Sequence, residues 1–545
     1  MKVRLRTEKL DIGWKDNMQI EVRSKAAMKR ALILTLYALI SFFFDIKNFG
    51  FVDSSSYRLY AVLKVVQLFL VWIILGKGEK VWKTKSLDHK SRLAIKLFGL
   101  FSIGILLLWP GNWVEVDEFS VYQAALVLKV HFNQGLFSTA IHILGLMFFF
   151  HRGAVVLFQC VLAAWIYAEV ISECEAMTGK KAIPLYVLFF SPVALYFLYQ
   201  PMRTFLFGAL ILLFLQRYIL LWNESAEERT PKQILQLTVL IAGIMCIRTE
   251  FKFMIIGYPL MLIFLLKHWG KTCFKPLLKA LLIIVVILAG YTSLEKSGSG
   301  GGSPLSQSFV MPDYTIFKDP KFDWESNRAE VEAIDRVYDI DDILTKTNRS
   351  YTLAMPRDGH TPEEMSGFLK ASIRLISRYP QDYLICRWNV FLISVGFDRE
   401  SGYIQTTEHI QYIDPNTITQ KPIPLNEKLQ NRVSKFLGGQ FTIFGIKMYF
   451  VFWALWIPIV LTIELFLISV MERRFDFSLA ILVLLGELFC AILTAPVKYA
   501  MYYFANYLAG WYILYFYCSY RNHLKRDQSN VNRQYKEKTS IESDK

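Results

Sequence analysis

Leu97-Phe-Gly-Leu-Phe-Ser-Ile-Gly-Ile-Leu-Leu-Leu-Trp109 contains no charged side chain, and Pro110-Gly-Asn-Trp-Val-Glu-Val-Asp-Glu-Phe119 follows it directly. The first stretch, with its flank, approaches the roughly 20 apolar residues that a helix needs to cross a bilayer core. Pro110-Gly111 stops that helix, two Trp suit a membrane interface, and Glu115, Asp117 and Glu118 then sit at its mouth. Ala31–Phe44, Val66–Leu75, Phe205–Leu215 and Leu281–Ala289 repeat the uncharged pattern. The 545 residues are 54% hydrophobic and 15% aromatic, with a mean hydropathy of +0.32. Together these features predict a mainly α fold, a polytopic α-helical membrane protein of about 12–14 spans.

Candidate spans fall at 29–46, 58–76, 93–110, 136–150, 153–173, 182–199, 204–222, 232–247, 254–268, 275–293, 443–470, 477–496 and 499–519. They divide the chain into an N-terminal segment (1–28), a first block (29–293), a polar region (294–442), a second block (443–519) and a basic tail (520–545). Helical periodicity at Glu325–Leu344 and Glu363–Val395 predicts a mostly helical extracytoplasmic domain within 294–442.

The net charge of +15 sits in short segments between apolar runs. That distribution argues for topology and against a nucleic-acid partner, because cytoplasmic loops are enriched in Lys and Arg. Residues 1–30, the loop from Lys77 to Arg92, Arg473-Arg474 and the tail from Arg521 read as cytoplasmic. The acidic loop 111–135 and the region 294–442 then lie outside. Between them stand seven candidates where topology demands an even number. The short 136–150 run, or its neighbour across His151-Arg-Gly153, is the suspect for a re-entrant or interfacial piece. The polar, basic start is no cleavable signal peptide, and its first apolar run reads as an uncleaved anchor. The seven Cys show no CxxC spacing, and the His residues show no HxxxH or HExxH pattern.

Carboxylates at 115–118, beside the apolar stretch Phe119–Val130, suit general-base or metal chemistry on a lipid-borne substrate; a solvated acidic loop is the plainer reading. Arg203, in Tyr199-Gln-Pro-Met-Arg-Thr204, and Arg248, in Arg248-Thr-Glu250, fall on the predicted outer face, against the positive-inside bias. A guanidinium fork there can hold a phosphate, or pair locally, as Arg248 can with Glu250. Tyr379-Pro380 through Arg387 offers a docking edge for the external domain. Lys498–Tyr507 offers an aromatic belt or a groove wall.

In order and spacing, over roughly residues 90–520, these segments resemble the C-type (GT-C) integral-membrane glycosyltransferases of the bacterial polyprenyl-phosphate-sugar-dependent type. The carriers of the likeness are Pro110-Gly111, the acidic loop, Ser191-Pro192, Pro201-Met-Arg-Thr204, Arg248-x-Glu250, Tyr379-Pro380-x-x-Tyr383 and the closing Tyr499–Gly510. The resemblance implies a plasma-membrane enzyme, both termini cytoplasmic, with an extracytoplasmic active site. It would move sugar from a polyprenyl-phosphate carrier to a saccharide or lipid acceptor. It matches Asp117 to the catalytic base, or to the ligand of a divalent metal, with Glu118 and Glu115 as fallbacks. It matches Arg203 and Arg248 to the lipid phosphate; Glu250 beside them, and Tyr122, Arg387 and Tyr499 as acceptor or groove positions, complete the candidate site. Arg203-Thr204 stands where relatives often have Lys-Asp, and Gln134-Gly135 where they often have His-Pro. These departures bear on metal use and on substrate. A transporter or flippase, a polymerase of lipid-linked saccharides, and an assembly partner remain alternatives.

Overall fold

The computed structural model describes residues 27–84, 86–108, 116–131, 135–151, 153–201, 203–224, 230–270, 274–298, 316–346, 357, 359–397, 425–495 and 499–521. Among them, nine helices are long and apolar enough to cross a membrane: Ala27–Asn48, Ser54–Glu79, His89–Leu108, Ala154–Thr178, Arg203–Asn223, Glu250–His268, Phe274–Glu295, Tyr449–Met471 and Phe475–Thr494. The chain is thus a mainly α, multi-pass membrane protein.

In chain order the helices are α1 (Ala27–Asn48), α2 (Ser54–Thr84), α3 (His89–Leu108), α4 (Val116–Leu126), α5 (Gly135–Phe148), α6 (Ala154–Thr178), α7 (Ile183–Phe189) and α8 (Pro192–Tyr199). There follow α9 (Arg203–Asn223), α10 (Pro231–Ile247), a 3-10 turn at Thr249–Phe253, α11 (Met254–His268) and α12 (Phe274–Gly298). The polar region contributes α13 (Arg328–Asp335), α14 (Ile340–Lys346), α15 (Pro362–Arg378), α16 (Pro380–Ser394) and α17 (Glu427–Leu437). A two-stranded hairpin, β1 (Thr442–Ile443) and β2 (Ile446–Lys447), leads into α18 (Tyr449–Phe452), α19 (Trp456–Met471) and α20 (Phe475–Thr494). The last described helix, α21, covers 504–521.

Five expected spans take other forms. The 182–199 run is two short helices, α7 and α8. Ser191 caps α8, its Oγ accepting from the Ala194 N–H at 3.3 Å, and Pro192 opens the new helix. The 136–150 run forms only the 14-residue α5, about 21 Å long at 1.5 Å per residue. The 232–247 run is the 17-residue α10. The 499–519 run starts as a 3-10 turn, Ala500–Tyr502, before α21. The 443–470 run begins as the β-hairpin and becomes helical at Tyr449.

Ion pairs orient the helices. Lys90 and His89, at the start of α3, meet Glu169 and Glu175 near the end of α6. The two helices are therefore antiparallel, and Leu108 shares its end of the bundle with Ala154. Between 108 and 154 the chain returns to the side it left, so α5 is not a lone crossing. Arg217 of α9 reaches Glu169 at 3.1 Å, Asn223 reaches Asp476 of α20 at 3.1 Å, and Tyr520 of α21 reaches Asn223 at 3.2 Å. These contacts gather at the His89 end. Arg203, Ala495 and Tyr502 consequently lie at the Leu108 end.

A smaller core flanks the main one. Phe49, Leu59, Tyr60, Leu63, Tyr122 and Ile143 pack together from the α1–α2 connection, α2, α4 and α5. Within the α1–α2 hairpin, Lys64 Nζ donates to Asp45 Oδ2 at 2.6 Å and Ser41 Oγ at 2.7 Å, and the Tyr60 hydroxyl donates to the same carboxylate at 2.9 Å. Both charges are nearly sequestered, so removing one strands the other. Asp45→Ala should cost about 3–5 kcal/mol, read as a lowered thermal midpoint in detergent. The double replacement Asp45→Leu with Lys64→Met should restore most of it.

His142 of α5 is buried in this region, its Nδ1 2.9 Å from the Ser138 carbonyl. Burial pulls the imidazole down to about 4, against the Ser138 hydrogen bond and with His131 adding to the depression. The native state thus binds fewer protons than the unfolded chain. Stability from this group is complete above the ordinary histidine value of about 6.5 and drains away as pH falls towards 4. Thermal midpoints at pH 7.5 and pH 5 should differ, and His142→Leu should narrow the gap.

In the polar region, the predicted Glu363–Val395 helix is divided. Tyr379 ends α15 and Pro380 opens α16. Thr361 and Glu364 form a capping box at the start of α15, with bonds of 3.2 and 2.8 Å. The Thr361 N–H holds the Glu364 carboxyl below its ordinary value. Helix α16 docks on the membrane block: the Tyr383 hydroxyl donates to Leu493 O at 3.2 Å, and Arg387 Nη1 to Ala495 O at 2.9 Å.

Candidate functional site

Two arginines meet at the Leu108 end of the bundle. Arg203 opens α9, and its Nη1 donates to the Ile247 carbonyl at 3.3 Å. Ile247 is the last residue of α10, so this bond also caps that helix. Arg248 follows in extended conformation, where the chain turns into the Thr249–Phe253 turn. It is 4% exposed. Its guanidinium carbon sits 5.3 Å from the Phe207 ring centre and 5.1 Å from that of Tyr502. Aromatic contacts from α9 and from the Ala500–Tyr502 turn hold a planar cation in one orientation. The buried Nε of Arg248 has no hydrogen-bond partner, which is uncommon for a buried donor.

Carboxylates surround the pair. Arg248 repels Arg203, whereas Glu250 attracts it. Glu487, 1% exposed on α20, accepts a hydrogen bond from Asn506 of α21 and feels both Arg248 and Glu250. Tyr291 of α12 is electrostatically coupled to Arg203 and donates to Glu295 Oε1 at 3.3 Å. Tyr291 also packs against the small core that holds α4 and α5. It thereby links the arginines to the helix carrying the acidic residues. Gly135 suits this junction, chiefly through its positive φ. Its φ is +72°, and a Cβ there would stand 2.9 Å from Glu295 Oε1.

The residues expected from sequence are distributed as follows. Arg203, Arg248 and Glu250 come together. Asp117 and Glu118 lie in the first turn of α4; their side chains, and all of Glu115, fall outside the described residues. Tyr122 is 8% exposed and packs in the small core. Arg387 is 1% exposed in the joint between α16 and α20, its guanidinium 5.0 Å from the Tyr383 ring centre. Tyr499 is partly buried against the main core. Tyr122 and Arg387 are thus packed side chains. Among the described residues no three His, Cys, Asp or Glu side chains converge as a metal cluster.

Sequence reasoning passed over Glu487, Tyr291, Glu295 and Phe207, and placed Tyr502 and Asn506 only within the Lys498–Tyr507 belt or groove wall. A signal existed for Glu487: it is the one carboxylate in the apolar run Phe477–Thr494, and an ionisable residue inside a span flags a functional site. Tyr291, Glu295 and Phe207 carry no local mark.

No protein-family model matches this chain, and no curated protein or solved structure does either.

Proposed function

We propose that the chain is a membrane glycosyltransferase that moves sugar from a polyprenyl-phosphate carrier to an acceptor hydroxyl at the Leu108 end of the bundle. The observation that carries this reading is Arg248, a buried guanidinium fixed between two rings with an unpartnered Nε. Such a donor suits a phosphate oxygen. Arg203 adds a second cation beside it.

In the reaction, the bond between the sugar's anomeric carbon and the carrier phosphate oxygen breaks, and the phosphate leaves with the electron pair. The acceptor oxygen bonds to that carbon, and its proton passes to the Asp117 carboxylate. Arg203 and Arg248 stabilise the charge that grows on the leaving phosphate. Asp117 removes a proton that water would take poorly. Should a divalent metal take part, it would supply further charge stabilisation, with Asp117 as the available ligand.

The test is reconstitution in liposomes with polyprenyl-phosphate sugars and candidate acceptors. Appearance of free polyprenyl monophosphate with a glycosylated acceptor supports the proposal. Movement of intact donor across the bilayer without bond cleavage favours a flippase instead. That second reading has its own support in the break between α7 and α8 and in the buried Glu487, since transporters build sites from interrupted helices and intramembrane charges.

A further inference from the structure

Helix α17 is amphipathic in an unusual arrangement. Gln430, Val433, Ser434 and Leu437 face inward, and Gln430 Nε2 donates to the Leu108 carbonyl at 2.9 Å. Leu429 and Phe436 are exposed at 39% and 50%, and lie seven residues apart, on one line along the helix. Lys428, Arg432 and Lys435 form a basic stripe beside that line. An apolar line flanked by a basic one is the pattern of a helix lying at a membrane surface.

The hairpin that follows has an apolar tip. Ile443 pairs with Ile446, and Phe444-Gly445 forms the two-residue turn. Phe444 is 99% exposed, with Ile443 at 42% and Ile446 at 55%. Both turn residues have positive φ, +51° and +77°. Such turns favour Asn-Gly, and a bulky residue in this conformation is a genuine outlier. A Phe ring projecting into water gains nothing from that strain, whereas one projecting into hydrocarbon does.

The hairpin is rigidly mounted. Phe436 stacks on Phe441 at 5.6 Å, and Phe452 meets Phe436 at 5.8 Å. Trp453 Nε1 donates to Leu437 O at 3.1 Å. The next segment, Tyr449–Met471, is among the candidate spans, so the exposed tip is continuous with lipid-facing surface.

We infer that residues 425–452 form a wedge seated in the headgroup–acyl boundary at the Leu108 end, with Phe444 inserted among the acyl chains. Lys428, Arg432, Lys435 and Lys447 meet anionic headgroups. Through Gln430, the wedge's seat positions the last turn of α3, where the chain departs towards α4.

The experiment attaches a nitroxide at position 444 by Phe444→Cys, in protein lacking the label-reactive native cysteines such as exposed Cys518. The full chain is placed in nanodiscs of phosphatidylcholine with phosphatidylglycerol. Collision with oxygen should exceed collision with a water-soluble nickel chelate at 444, and the order should reverse at Arg328→Cys in the polar region. Nickel access at 444 equal to that at 328 would overturn the inference. So would protection from both reagents, which would mean a protein partner or a second copy covers the tip. Phe444→Asn suits the positive φ and should leave the detergent thermal midpoint unchanged, yet move a label at Ile446 towards water. An unmoved label would also count against the wedge. Changing Lys428, Arg432 and Lys435 together to Gln should abolish any deepening by added phosphatidylglycerol; unaltered deepening would remove the headgroup contact. None of these readouts depends on sugar transfer, so the wedge and the enzymatic reading stand or fall separately.

Discussion

Asp117→Asn is expected to lower sugar transfer by about 10²- to 10⁴-fold, the usual contribution of a positioned general base. The amide is isosteric with the carboxylate but cannot accept the acceptor's proton. Residue 117 is the second residue of α4, where the helix dipole favours a negative charge by only about 0.3–1 kcal/mol. Folding should therefore be almost untouched, and the thermal midpoint in detergent checks this. Binding of polyprenyl monophosphate should also persist, because the arginines hold it. If Asp117→Asn transfers sugar at the original rate, the base is elsewhere, and Glu118→Gln becomes the next variant to measure. A flippase would show no loss of lipid movement in either variant.

Arg248→Ala should weaken binding of polyprenyl monophosphate by about 2–5 kcal/mol, the effect of deleting one partner of a buried charged contact. That corresponds to roughly thirty-fold to several-thousand-fold in Kd. Part of the loss comes from Glu487, which the deletion leaves with less opposing charge. Arg248→Lys separates charge from shape. It keeps the cation but gives up the planar fork and the fit between Phe207 and Tyr502, so its affinity should fall between the two. Equal binding by the native, Lys and Ala forms would exclude Arg248 from the phosphate site. Where the Ala form is too unstable to purify, the Lys form still decides.

Some of the fold was legible because its cause is local. Ser191-Pro192 is a helix-start signal written in two residues, although the surrounding run reads as one span. The break at Tyr379-Pro380 is equally local and lies within a run whose periodicity suggests a single helix. Hydropathy outvoted these signals because it averages over a window, whereas capping acts at one residue. The parity conflict between 111 and 294 had no local solution. It yielded only to the contacts of Lys90 and His89 with α6, which make α3 and α6 antiparallel and rule out α5 as a lone crossing.

The site divides the same way. Arg203, Arg248 and Glu250 stood out because cations on the predicted outer face run against the charge bias of membrane loops. Glu487 and Asn506 sit about 240 and about 260 residues beyond Arg248, Tyr502 reads as part of an aromatic belt, and Tyr291 reads as an ordinary aromatic residue. Nothing in one dimension says that these groups share a volume.

By itself, the sequence determined that the chain crosses a membrane many times. Burying uncharged runs in hydrocarbon is a property of each segment, independent of its neighbours. Only the tertiary structure decided which polar residues face one another at the Leu108 end. Side chains from α9, α12, α20 and the turn before α11 meet there because of helix direction and packing, and those are relations between segments.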